Sequence, residues 1–236
     1  MIPLKSLIPL RSAPFITIAL IIVNFIVFFH QLTLGPRAAD AFIMAYGLVP
    51  AKFSLALSGS AHYTLADAML PLFTCMFLHG GWMHIIGNMW FLWIFGANVE
   101  DRLGPLVYLL FYLVCGVASS VAQMAFSWGS RVPSIGASGA ISGVLGAFLV
   151  YFTWARILAL VPLFIIWFTV RVPAMVFIGL WFLIQFFSGV SALQASRGSM
   201  GGVAWWAHIG GFIFGVVLAR IAGAAVRRSP PPAEAW

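Results

Sequence analysis

The sequence predicts an all-α polytopic membrane protein with six membrane-crossing helices and a long, membrane-associated first loop. Three observations lead there. Of the 236 residues, 63% are hydrophobic and 7% are charged, against about 25% charged in a soluble domain. That is more apolar surface than a water-soluble fold of this size can hide. The apolar residues fall in runs that approach or match the ~17–25 residues needed to cross hydrocarbon as a helix. The basic residues, which give a net charge of +7, flank these runs one or two at a time. That pattern suits topology signals and anionic lipid headgroups. It does not suit nucleic acid, because no basic patch is interleaved with aromatics.

Residues 1–13 form a short N-terminal segment carrying Lys5 and Arg11. No small-residue cleavage site follows the first apolar run, so that run reads as a retained span. The first span covers about Pro14 to Gln31. The connection from Leu34 to Pro71 holds Asp40, Lys52, His62 and Asp67 among apolar residues. It is too long for a turn and is expected to lie on the bilayer. The second span, about Met83 to Val99, follows a broken apolar stretch from Leu70 to Gly81. The third runs from Pro105 to Trp128, the fourth from Ala137 to Thr153, the fifth from Pro173 to Phe187 and the sixth from Ala204 to Ala222. The segment Ile157 to Val170 is apolar too, but it is short and contains Pro162. It is predicted to be a buried or interfacial connection, with a seventh span as the competing reading. The membrane unit therefore occupies 14–223, and the proline-containing tail 224–236 is expected to be disordered.

With six spans and the N-terminus inside, eight basic residues fall on the inner side: Lys5, Arg11, Arg102, Arg156, Arg171, Arg220, Arg227 and Arg228. Four fall outside: Arg37, Lys52, Arg131 and Arg197. The bias places both termini in the cytoplasm, and the expected location is a prokaryotic plasma membrane.

Polar residues at membrane depth are expensive and mark function. Ser138 sits in Gly136-Ala137-Ser138-Gly139 at the start of the fourth span. His208 sits in Ala207-His208-Ile209-Gly210-Gly211 within the sixth. Gly139, Gly143 and Gly146 recur at helical spacing, and Gly211 and Gly215 lie three and seven residues after His208. Two such smooth faces can pack closely and bring Ser138 to His208, as a nucleophile and its base. Small-residue faces are also ordinary glue between membrane helices, and a serine there often bonds to its own backbone. Ser142 shares the face of Ser138 and is the weaker nucleophile candidate.

His84 and Asn88 are spaced i, i+4 and share a helix face. Both can donate hydrogen bonds to the oxygen that becomes negative in acyl transfer. The backbone N–H of Ser138, near a helix N-terminus, is a third such donor. A metal site is the competing functional reading. It lacks a nearby carboxylate or cysteine ligand and the His-Glu-x-x-His pattern, so no metal and no cofactor are expected. The five acidic residues, Asp40, Asp67, Glu100, Asp101 and Glu234, lie away from the centres of the spans. This argues against a serine–histidine–aspartate triad, against a two-carboxylate protease and against a proton-coupled carrier. Cys75 and Cys115 read as buried free thiols.

Together these pieces resemble the rhomboid family of intramembrane serine proteases over about Leu70 to Leu218. His79, His84 and Asn88 match its His-x-x-x-x-His-x-x-x-Asn pattern, and Glu100, Arg102 and Gly104 its Glu-x-Arg-x-Gly pattern. Gly136-Ala137-Ser138-Gly139 and Ala207-His208-x-x-Gly211 follow in the family's order. The resemblance implies a six-helix rhomboid-like bundle with Ser138 as nucleophile, His208 as general base and then acid, and His84 and Asn88 as oxyanion donors. It implies fold-stabilising roles for Glu100 and Arg102. It also implies cleavage of transmembrane protein substrates, with a preference for small residues at the cut. A Trp-Arg pair present in the first loop of some members is absent here. Two other readings are a catalytically inactive, client-binding relative and a small-solute transporter. The first would lose the serine or histidine, and both are present. The second would show a repeat or a charged path, and neither is evident. The sequence leaves the oligomeric state unknown.

Overall fold

The computed structural model describes residues 1–59, 62–194 and 203–225. The tail expected to be disordered lies almost wholly outside them. The chain begins with a short strand, β1 (Ile2–Ser6), and then enters α1 (Phe15–Thr33). The long first connection is helical, with α2 (Pro36–Tyr46), α3 (Pro50–Leu57) and α4 (Leu65–Thr74). Pro36 and Pro50 each sit in the first turn, where a missing N–H costs nothing. Thr64 and Asp67 cap α4 reciprocally.

A 3-10 turn (Cys75–Phe77) leads to the second span, which comprises α5 (Trp82–Phe91), a π-helical segment (Leu92–Gly96) and α6 (Ala97–Leu103). Gly104, at φ 84°, turns the chain into α7 (Pro105–Phe126). After a loop come α8 (Ser138–Tyr151), strands β2 (Arg156–Leu163) and β3 (Ile166–Pro173), α9 (Ala174–Gln194) and α10 (Trp205–Ala225).

By length and composition, α1, α7, α9 and α10 can cross a membrane, and the segments Leu65–Phe77 and Trp82–Leu103, bent by 77°, make a fifth candidate. The protein is an integral membrane protein. Helix α8, 14 residues long, is too short for that test. It needs no lipid contact, because every residue from Gly139 to Phe148 is buried by its neighbours.

The glycine faces explain how α8 and α10 meet. A methyl group on Gly215 would lie 2.2 Å from the carbonyl oxygen of Gly143, and one on Gly211 would lie 2.2 Å from that of Gly139. Gly146 faces the backbone of Phe212 and Val216 in the same way. Helix α7 closes the third side, with Cys115 against Gly143 and Ser119 against Gly139. Only glycine permits this backbone approach. Both cysteines are free and buried.

Glu100, 3% exposed, ties the second span to the first. Its carboxylate accepts from the backbone N–H groups of Ile16 (2.9 Å) and Thr17 (2.8 Å) and from the Thr17 hydroxyl (2.8 Å). A buried anion is thus satisfied by the orphan donors and positive dipole end of α1. The Arg102 guanidinium lies 5.6 Å from the ring centroid of Tyr151, whose hydroxyl donates to the Ala219 carbonyl.

The segment Ile157–Val170 is a connection between α8 and α9 and not a seventh span, and its turn is exposed, not buried. It forms an antiparallel hairpin that pairs Arg156 with Pro173 and Leu163 with Ile166. β1 adds to its other edge, pairing Ile2 with Leu160 and Ser6 with Ile157. The physical reason lies in composition, because Ile, Val, Phe, Trp and Thr favour the pleated surface. The indole of Trp90 donates to the Pro3 carbonyl at 2.6 Å, so the N-terminal strand lies along the second span.

Candidate active site

Ser138 opens α8, and the chain before it is fixed from two directions. The Gly136 N–H donates to the Cys75 carbonyl at 2.9 Å. Leu48 and Ser134 exchange two backbone hydrogen bonds of 3.0 and 2.8 Å, which joins the first loop to this segment. Gly136 has φ 125°, a conformation that favours glycine. A methyl group there would sit 2.7 Å from His84 Nε2 and 3.6 Å from Asn88 Nδ2. The glycine therefore lets the start of α8 lie directly against those two side chains.

His208 is 8% exposed on α10. Its Nε2 lies 2.7 Å from Ser138 Oγ, within the range for a nucleophile and its base. Its Nδ1 lies 2.7 Å from Oε1 of Gln185 on α9. Trp181 and Trp205 flank the imidazole, with ring centroids 6.1 and 6.2 Å away. Trp206 stacks instead on Phe126 at 3.8 Å. The start of α10 is held by Gln123 of α7, whose Oε1 accepts from the Ala207 N–H at 3.1 Å.

The other predicted residues converge on the same place. His84 Nδ1 accepts from the Gly80 N–H at 3.3 Å. That assigns the ring proton to Nε2, which faces the Gly136–Ser138 loop. Asn88 is 8% exposed, and its Nδ2 is buried without a protein partner among the described residues. A buried unpaired donor costs about 1–3 kcal/mol and calls for an explanation. Ser142, in contrast, bonds back to the Ser138 carbonyl at 2.6 Å and has no imidazole partner. His79, in the loop before α5, packs edge-on against His84 with centroids 5.1 Å apart. Its N–H and carbonyl are both bound by Gln31 of α1.

Gly80, His84, Asn88, Ser134, Ser138, Trp181 and His208 are among the residues lining one cavity of about 890 Å³. It combines apolar walls with a few convergent polar groups, as binding sites do. Chemically, the arrangement offers a hydroxyl, a base in contact with it and donors beside it. No cluster of three metal-ligating side chains occurs among the described residues.

The sequence reading missed Gln185 and Gln123. The signal for Gln185 was present: it is the lone polar residue among the apolar side chains from Ala174 to Phe187.

Known proteins share sequence with this chain. "Rhomboid protease GluP" of Bacillus subtilis is 45% identical over 78 residues, 33% of this chain and 15% of that protein. "RHOMBOID-like protein 5" of Arabidopsis thaliana is 40% identical over 79 residues, 33% of this chain and 25% of that protein. "Rhomboid protein 1, mitochondrial" of Saccharomyces cerevisiae is 32% identical over 146 residues, 60% of this chain and 38% of that protein. The chain thus spans well under half the length of each of these curated relatives. The profile of the rhomboid domain matches residues 66–225, about two thirds of the chain, and the chain belongs to the rhomboid family.

Proposed function

We propose that this protein is a serine endopeptidase that hydrolyses peptide bonds of membrane proteins within or near their transmembrane segments. The observation that carries the reading is the 2.7 Å contact between Ser138 Oγ and His208 Nε2 inside a cavity large enough for a short extended peptide. Family membership supports it, as does the printed name of the Bacillus relative.

In this reading Ser138 Oγ attacks the scissile carbonyl carbon while His208 Nε2 takes the hydroxyl proton. The carbonyl oxygen becomes an oxyanion, and the donors at hand are His84 Nε2–H, Asn88 Nδ2–H and the backbone N–H of Ser138. The last is one of the helix-end groups without an intrahelical acceptor. His208 then gives its proton to the departing amine, which leaves an acyl ester on Ser138. Water enters the cavity, loses a proton to His208 and releases the acid, and Ser138 recovers its proton. No metal or cofactor takes part.

The substrate peptide must be extended at the cut, so helices weakened by glycine, proline or polar residues are favoured. The Lys/Arg distribution supports both termini on the cytoplasmic side. In a prokaryotic plasma membrane the Ser138 end of α8 would then lie toward the outer face.

The test is cleavage of a purified transmembrane substrate by the full chain reconstituted in lipid vesicles. Wild type should cut, whereas Ser138→Ala and His208→Ala should not, with thermal unfolding in detergent unchanged. Proteolysis by pure Ser138→Ala protein would overturn the assignment.

A further inference from the structure

We propose that Gln185 is the positioning residue of the base, holding His208 in the one tautomer that can accept a proton from Ser138. The inference rests on the Ser138–His208 reading above and supplies what that pair lacks. An imidazole next to a hydroxyl is a base only when Nε2 is unprotonated, and that requires the ring proton on Nδ1. Packing cannot make this choice. Trp181 and Trp205 limit how far the ring can tilt, but an aromatic wall does not distinguish the two nitrogens. A hydrogen-bond partner at Nδ1 does.

The described groups within reach of Nδ1 point to Gln185 Oε1, at 2.7 Å. A carboxamide oxygen only accepts hydrogen bonds. With Oε1 toward the ring, Nδ1 carries the proton and the Nε2 lone pair faces the Ser138 hydroxyl. With the carboxamide reversed, its NH₂ would donate to Nδ1, the proton would sit on Nε2, and the imidazole could not take the serine proton. The orientation of one amide therefore decides whether the pair is a nucleophile and base or an inert hydrogen bond.

The surrounding structure holds Gln185 in place. It is 7% exposed. Phe182, three residues before it, packs on Phe212 of α10 with centroids 4.7 Å apart. Gly189, four residues after it, lies so close to α10 that an added methyl group would be 3.3 Å from both Trp205 Cβ and Ile209 Cδ1. These three residues share one stripe of α9, so the amide sits between two fixed contacts with the helix that carries His208.

A neutral acceptor also suits the site. A carboxylate in this position would have to be desolvated between apolar helices, at a cost of several kcal/mol. Glutamine supplies the same acceptor geometry without charge. That is consistent with the cavity around the pair, among whose described lining residues none is acidic.

Nitrogen-15 solid-state NMR of histidine-labelled full-length protein in lipid reads the tautomer directly. The His208 signals are assigned by their loss in His208→Gln. Wild type and Gln185→Glu should show protonated Nδ1 and unprotonated Nε2. Gln185→Leu and the unbranched Gln185→Met should lose that single tautomer. With a transmembrane substrate, kcat should fall on the order of 100-fold in the Leu and Met variants, with KM little changed. Gln185→Glu, which keeps an acceptor at Nδ1, should be less stable to heat but more active than the Leu and Met variants, which a merely space-filling role would not require. A proton on Nε2 in wild type, or a Gln185→Met spectrum identical to wild type, would overturn the proposal, and the wild-type spectrum alone decides it if a variant fails to fold. A protein with the Nδ1–H spectrum but no proteolysis would contradict the protease reading while leaving this one standing.

Discussion

His84 and Asn88 carry the clearest kinetic prediction. In the proposed mechanism their donors face the place where charge develops, so their removal should be felt in the chemical step and not in substrate affinity. Loss of one such donor typically costs about 2.7–4 kcal/mol, less where a neighbouring donor compensates. Asn88→Ala and His84→Ala should each lower kcat with KM little changed, and the double variant should fall further. Unchanged turnover in all three would remove these residues from the oxyanion site. The polar side chains around Ser138 were legible in the sequence because each is costly at membrane depth and each repeats a family motif. Gln185 obeys the first rule and not the second. A single glutamine in an apolar run carries no spacing to read, and its partner lies 23 residues away on another helix. Ser142 shows the opposite case: its spacing from Ser138 made it a candidate, but its hydroxyl is committed to the backbone of its own helix.

The contact between α8 and α10 sets the distance between Ser138 and His208, so crowding it should harm catalysis without touching a reacting group. Gly143→Leu should force these helices and α7 apart, because even a methyl group would meet Cys115 Cβ at 2.5 Å. Overpacking should lower stability by roughly 1–3 kcal/mol, and a shift of about 1 Å should lower activity on the order of 100-fold. Gly179→Ala on α9 meets nothing within 4 Å and should leave both properties nearly unchanged. Equal behaviour of the two variants in cleavage and thermal unfolding would contradict the close-packing account. The glycine faces could be foreseen from their period, but Cys115 and Ser119 of α7 wedging against them could not.

The hairpin β2–β3 was obscure for a different reason, since a continuous apolar run looks alike as a buried helix or a strand. Its two ends should respond unequally. Ile157 is fully buried and pairs with Ser6 of β1, so Ile157→Ala should cost ~2–5 kcal/mol. Ile165 at the turn is 95% exposed, and Ile165→Ala should leave the thermal midpoint in place.

The site as a unit, a cavity of about 890 Å³ at one end of a buried helix, makes a demand on the substrate. In the proposed reaction the peptide must leave its helical form before it can reach Ser138. A model transmembrane segment with glycine or proline near the cut should be hydrolysed faster than an all-leucine counterpart, because each Gly or Pro weakens the helix by about 1 or 3 kcal/mol. Equal rates for the two would show that unwinding does not limit the reaction. Chelators should leave the rate unchanged, and activity lost to a chelator and restored by zinc would move the chemistry to a metal.

All of this depends on Ser138 being a nucleophile activated by His208. The most direct measurement is intact-mass and peptide mapping of the full chain after treatment with a fluorophosphonate, which modifies activated serines. The account predicts one adduct on Ser138 in wild type, and none in Ser138→Ala or His208→Ala. An adduct on Ser142 or another serine, or labelling of Ser138 that survives His208→Ala undiminished, would contradict it.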